Sequence, residues 1–495
     1  VALYLGHAVT FGVCLQDDAF ISLRYSRFFA TGYGPIYNLG EYVEGYTNFS
    51  WTVLGILPFW LGLDPPRFLI GLGYLSGVLA VLGAAFLAHR VTNSSLTAAA
   101  STGLVVAVLP SLVAESVMGL ETAGFAACIC FALGCFIAEM NDPNRIAWSG
   151  RWFGLAALTR PEGVMVAGLC WLLDAQSSLR EKRITTQRWR RWLWFAVPVL
   201  LHLLFRIWFY HDIVPNTFHA KVGGGLEAIK RGVGYVAEFV GATWPLWLLA
   251  AIGASALLRD RERPPRALIA IGVTLIFTGY VVYVGGDYKP TFRFFATPAV
   301  LLAALAGVGV DSLARSLFAE RSSLAWVMRF GLLALASLTL LINGQPAREF
   351  ARWRADELPT HRAAGRWLKE NFPPDTLLAT GNAGVLPYES ELTTIDMYGL
   401  CDKQIAQRVM PRMGLGPAGH EKGDGRYVLD RKPDVILIMR GRFSDQPLTR
   451  AQVGAVKHSV SEAELWDDPR FEAGYKLESA RLPGFYFNYF RRIAP

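Results

Sequence analysis

Long apolar runs joined by short charged loops fill the first 344 residues, and beyond Asn343 the pattern changes to short alternating segments with polar turns. Runs at 68–88, 96–113, 119–138, 192–210, 235–257, 267–284, 294–314 and 325–343 approach the roughly 20 residues that a helix needs to cross a bilayer. The run Val1 to Leu15 is shorter and lacks a basic flank or a small-residue cleavage site, so it reads as a clipped first span and not as a signal peptide. Phe49 to Leu63 reads as an interfacial segment. The stretch 152–175 is interrupted by "TRPEG", where Pro161 removes a helical hydrogen bond and Arg160 and Glu162 add charge; it reads as a broken hairpin whose two charges pair. The expected fold class is a polytopic α-helical membrane protein of about 10–11 spans with a C-terminal soluble α/β domain.

After Asn343, "THRAAGRWLKENF" has helical period, while "DTLLAT", "TTIDMY", "DVILIM" and "YKLESARL" read as short buried strands. The expected division is a membrane domain over 1–344, with a large first periplasmic loop at 16–66, and a periplasmic domain over 345–495 of ordinary domain size.

Composition agrees with that pattern. Of 495 residues 53% are hydrophobic and 18% charged, and the mean hydropathy is +0.30, too apolar for an ordinary soluble protein. A net charge of +8 does not point to nucleic acid, because the basic residues sit in loops between spans, above all 177–192 and 259–266. Placing those loops, His89–Arg90, 141–151 and 315–321 on the cytoplasmic side satisfies the positive-inside rule. The loops 16–66, 114–121, 211–232 and 285–293 and the C-terminal domain then share the opposite face. Five cysteines lie in apolar segments and only Cys401 in the polar third, so no disulfide framework is expected.

The outer face holds the unusual polar groups. Asp17 and Asp18 open the helical stretch "DAFISLRYSRFFA", where acids favour a helix N-terminus; adjacent residues point about 100° apart, so one acid can serve the helix end while the other faces a cavity. Glu44, Asn48, Glu121, Asn216 and Asp287 are substrate-binding candidates in the same loops. Carboxylates that can take a proton from a hydroxyl and cations that can hold a phosphate suit transfer from a lipid-linked phosphosugar. Walker A, GxSxG, HExxH and CxxC motifs are absent. Adjacent carboxylates alone are a poor metal signature, so a divalent cation is the one cofactor they suggest and no metal ligand is assigned.

In order along the chain, "DDAFISLRYSRFFATGYGPIYNLGEYVEGYTNFSW", "GLETA", "LTRPEG", "PNTFHAK", "VGGDYKPTFRF", "IDMYGLCDKQIA" and "GHEKGDGRYVLDRKPD" resemble the bacterial GT-C glycosyltransferases of the terminal arabinofuranosyltransferase type. The resemblance implies an inverting enzyme in the bacterial inner membrane. It would move a sugar, with D-arabinofuranose the best guess, from a polyprenyl phosphate to a glycan or glycoprotein acceptor on the periplasmic side. It maps the catalytic acid onto Asp17 and Asp18, with Asp17 favoured as base and Asp18 as its partner. Lys221 and Arg293, then His219 and Lys289, are the phosphate candidates. Asp396, Asp402, His420 and Lys422 are assigned to the acceptor side. The rival class is a lipid-linked glycan transporter, whose charges should line a path through the whole bilayer.

Overall fold

The computed structural model describes the chain except residues 143–144, 182–184, 260–263, 319–321, 412 and 494–495. Parts of the basic loops 141–151, 177–192, 259–266 and 315–321 thus lie outside the described residues. Among the described residues, six helices are long and apolar enough to cross a membrane, or eight if two bent pairs each count as one span. These eight correspond to the eight long apolar runs. The rest of the expected ten or eleven are the short Ala2–Val9 helix and the hairpin of Trp148–Thr159 and Glu162–Glu181.

Two runs that read as continuous spans are broken. Leu96–Ala107 and Pro110–Val117 meet at 58°, and Gly225–Ala242 and Trp244–Arg259 at 90°. Each break lies at a proline, Pro110 or Pro245, which has no amide hydrogen and disfavours helical geometry in the residue before it.

The C-terminal part starts with the helix Gln345–Asn371 and carries one six-stranded sheet. β1 (Leu377–Thr380), β2 (Thr393–Asp396) and β3 (Val435–Ile436) are parallel in the order β2-β1-β3. β4 (Phe443–Ser444), β5 (Tyr475–Leu482) and β6 (Phe485–Arg492) complete the sheet through antiparallel pairing on β6. Two apolar clusters sandwich it. Ile395, Ile436, Phe471 and Phe490 lie in one; Leu368, Leu378, Val435 and Phe487 lie in the other. Where three parallel strands lie side by side, their carboxyl-end loops open together on one edge, the usual place for a ligand crevice.

That edge faces the first loop, which ties the two parts together. Arg24 is 2% exposed and donates to the carbonyls of Tyr37 at 2.7 Å, Leu392 at 2.7 Å and Pro387. Asn38 exchanges hydrogen bonds with the backbone of Thr394, and Tyr37 donates to the Ala383 carbonyl at 2.6 Å. A buried guanidinium shared among several carbonyls is costly to break, since each orphaned partner keeps its desolvation penalty.

Candidate functional site

The helix Asp17–Ala30 is flanked by Gln16, which makes no side-chain cap. Neither acid caps its own helix, and the two diverge. Asp17 accepts the backbone N–H groups of Gly384 at 3.0 Å and Val385 at 2.9 Å, reaching across to the loop after β1. A Cβ on Gly384 would lie 1.9 Å from the Asp17 carbonyl oxygen, so only glycine permits this approach. Burial pushes the Asp17 carboxyl above its ordinary pKa, against the pull of those N–H groups and of Arg354.

Asp18 turns toward the loop 285–293. Its Oδ2 lies 3.2 Å from Arg293 Nη1 and 3.6 Å from Lys289 Nζ, and 44% of its side chain is still accessible. It therefore stays open to solvent. Burial would raise its pKa, but Lys289, Arg293, Lys221 and His420 outweigh burial and hold the carboxyl far below the carboxylate range. Arg293 is steadied from behind by Asp287, whose Oδ2 is 2.9 Å from Nε. Glu115 is wholly buried and accepts from Thr291 at 3.0 Å. The loop reaches this shape through Gly285 and Gly286, at φ +83° and +68°; a side chain at Gly286 would strike the Tyr235 ring at 2.6 Å.

Lys221 ends the short helix Asn216–Lys221 and is solvent-accessible. Its charge acts on Asp18, and no ion pair engages it among the described residues. His420 is set edge-to-face against Tyr288 at 5.1 Å and Tyr398 at 4.7 Å. The sequence assigns it to the acceptor side; it stands beside the cations as well, where burial lowers its pKa.

Other candidates are placed elsewhere. His219 pairs with Asp212 at 3.1 Å instead of joining the cations. Glu44 is held by Arg206 at 2.5 and 3.0 Å. Asn216 donates to the carbonyls of Gly399 and Leu400; both residues fasten the scaffold. Asn48 and Glu121 form a connected group, Asn48 Nδ2 to Glu121 at 2.9 Å and Arg160 to Glu121 and Glu162 at 3.0 Å each. The expected Arg160–Glu162 pair is thus present, with Glu121 as a third member. Asp396 is fully buried and accepts from the N–H groups of Tyr398 and Cys401; burial pushes it up to about 7. Asp402 caps the helix Lys403–Gln407, and Lys422 donates to the Arg408 carbonyl. These three acceptor-side candidates are occupied inside their own domain.

Arg354 and Arg442 act on Asp17, and Tyr398 lies near Arg442; the sequence singles out none of the three. An arginine in a helix and a tyrosine after a strand carry no motif. Among the described residues no group of three His, Cys, Asp or Glu side chains could hold a metal ion.

Two solved structures share this fold. ArnT from Cupriavidus metallidurans, bound to undecaprenyl phosphate, matches with a TM-score of 0.52 at 16% identity, over 80% of this chain and 84% of that one. The Archaeoglobus fulgidus oligosaccharyltransferase in the apo form matches with a TM-score of 0.54 at 12% identity, over 98% and 74%. The fold is that of the GT-C glycosyltransferases. The chain is a multi-pass membrane protein of this fold. It is also similar to the terminal beta-(1->2)-arabinofuranosyltransferases of Mycobacterium tuberculosis, 25% identical over 72% of this chain and 55% of the relative, and of Corynebacterium glutamicum, 29% identical over 55% and 45%. The chain spans about half the length of these curated relatives. Residues 348–488 match a domain of unknown function, DUF8728.

Proposed function

We propose that this GT-C protein transfers a sugar, D-arabinofuranose as the first choice, from a polyprenyl phosphate to a glycan or glycoprotein acceptor at the noncytoplasmic face. The observation that carries the reading is the gathering of Lys221, Lys289 and Arg293 around Asp18. Such fixed cations stabilise a departing lipid phosphate at an interface. The similarity to two arabinofuranosyltransferases and the undecaprenyl phosphate bound to the ArnT neighbour support the same donor class.

In this reaction the acceptor oxygen attacks the anomeric carbon as the bond from that carbon to the phosphate oxygen breaks. The phosphate departs with the electron pair, and configuration inverts. Asp17 takes the hydroxyl proton. Its raised pKa makes it the better base of the pair, and the two backbone N–H groups fix its orientation while leaving lone pairs on both oxygens. Asp18 orders Lys289 and Arg293 before the donor arrives, and the phosphate then takes up those cations. A transporter reading is not favoured, because the relatives and fold neighbours are transferases by name and the cations gather on one cleft.

Mass spectrometry of lipids copurifying with Asp17→Asn tests the proposal. A polyprenyl-phosphate sugar should be trapped on a variant that binds donor but cannot deprotonate the acceptor. Recovery of bulk phospholipid alone would count against it.

A further inference from the structure

The loops after β1, β2 and β3 meet at the edge that faces Asp17. A Cβ on Gly381, after β1, would lie 2.9 Å from the ring of Tyr398, after β2, and 3.0 Å from the methyl of Met439, after β3. Arg442 follows on the third loop and donates to the Met439 carbonyl at 2.7 Å and to His361 at 2.9 Å. Within this convergence Asn382 Oδ1, Tyr398 Oη and Arg442 Nε are sealed from solvent and have no hydrogen-bond partner. Asn382 and Tyr398 are only 7% and 3% exposed. Buried polar atoms are rarely left unpaired, so one such atom on each of three adjacent loops marks a place for polar ligand atoms.

The charges around it narrow the class. Arg442 and Arg354 are faced by Asp17, Glu357 and Glu462, so no surplus positive charge remains to draw a second phosphate. We infer that Asn382, Tyr398 and Arg442 form a subsite for a neutral sugar, its ring hydroxyls accepting from Arg442 Nε, donating to Asn382 Oδ1 and pairing with the Tyr398 hydroxyl. The subsite shares the loop after β1 with the N–H groups that hold Asp17, and His420 packs against its Tyr398 at 4.7 Å. The name acceptor subsite rests on the transferase reading; sugar binding there does not.

Saturation-transfer NMR on the full chain in nanodiscs tests it, with methyl α-D-arabinofuranoside and methyl α-D-glucopyranoside as neutral probes and arabinose 5-phosphate as an anionic one. Undecaprenyl phosphate binding is measured in parallel. Wild type should bind at least one neutral probe. Tyr398→Phe and Asn382→Leu should each weaken it about tenfold, the effect of one lost hydrogen bond, and leave undecaprenyl phosphate affinity unchanged. Both variants remove an unpaired polar atom, so neither should lower the unfolding temperature, whereas a purely structural role would show there first. Unchanged sugar binding in both variants, which would leave the orphan atoms to isolated waters, would overturn the subsite. So would the absence of any neutral-probe signal from wild type, or preference for the sugar phosphate. Loss of undecaprenyl phosphate binding in wild type would instead strike the donor reading and leave the sugar arm to stand.

Discussion

The two acids that open the first-loop helix face regions that differ in kind. Around Asp18 stand three cations, Lys289 and Arg293 within 4 Å and Lys221 beyond, with His420 near them. Around Asp17 the contacts are backbone N–H groups, the charges of Arg354 and Arg442 are balanced by Asp17, Glu357 and Glu462, and unpaired polar atoms lie in that loop and the two beside it. A cleft with charge already in place is arranged for an anion, because aligned cations need no reorganisation when it arrives. A crevice with unsatisfied hydrogen-bond groups and balanced charge is arranged for hydroxyls. One turn of helix thus sets two acids with different surroundings side by side.

The largest effect should follow from removing the base. Asp17→Asn is expected to slow transfer about 10²- to 10⁴-fold while keeping donor binding, and Asp18→Asn to be milder in turnover and worse in donor affinity. Steady-state transfer and isotherms on both variants would measure this, and the reverse pattern would exchange the roles of the two acids. Next come the cations. Lys221→Ala should weaken undecaprenyl phosphate binding about tenfold to a hundredfold, the worth of a charge-assisted contact. Arg293→Lys should also lose donor affinity, since an ammonium cannot meet Asp18 and Asp287 on two sides of one plane.

A smaller, structural effect should separate the sides again. Gly384→Ala sets a methyl against the Asp17 carbonyl and should cost about 1–3 kcal/mol of stability, read as a lower unfolding temperature, with donor affinity nearly intact. The pH dependence differs between the acids as well. Asp17 must be ionised to act, and its pKa is raised, so the acid limb of the transfer rate should lie above the ordinary aspartate value of about 3.9. Asp18 is the opposite case. Its folded pKa is depressed, so its contribution to stability is present above about pH 4 and is lost as pH falls toward the folded value. Asp18→Asn should therefore unfold at a lower temperature than wild type near neutrality, and the gap should narrow in acid.

Much of the architecture is visible in local pattern. Span positions follow from runs of apolar residues, which the bilayer demands whatever their neighbours, and the strands 377–380, 393–396, 435–436 and 475–482 lie in segments of buried apolar or alternating character. The strand Phe485–Arg492 lies outside the strands expected from the sequence, although "LPG" marks the turn before it and its aromatic residues suit a strand. Pro110 and Pro245 mark where two spans break, but proline alone does not say whether a membrane helix kinks, bends by 90° or continues.

By itself the sequence determined the membrane character, the span positions and the residue types from which a transfer site can be built. It also determined that Asp17 and Asp18 must diverge, because neighbours on a helix cannot face the same way. Only the tertiary structure decided which acid meets the cations and which meets the loop after β1. It also turned His219 to Asp212, set His420 between Tyr288 and Tyr398, and drew Arg442, more than 370 residues along the chain, to the neighbourhood of Asp17. The reason is physical. Hydropathy and helical period act over a few residues and survive in any context, whereas a side chain's partner depends on which distant loops the packed sheet and spans bring within hydrogen-bond reach.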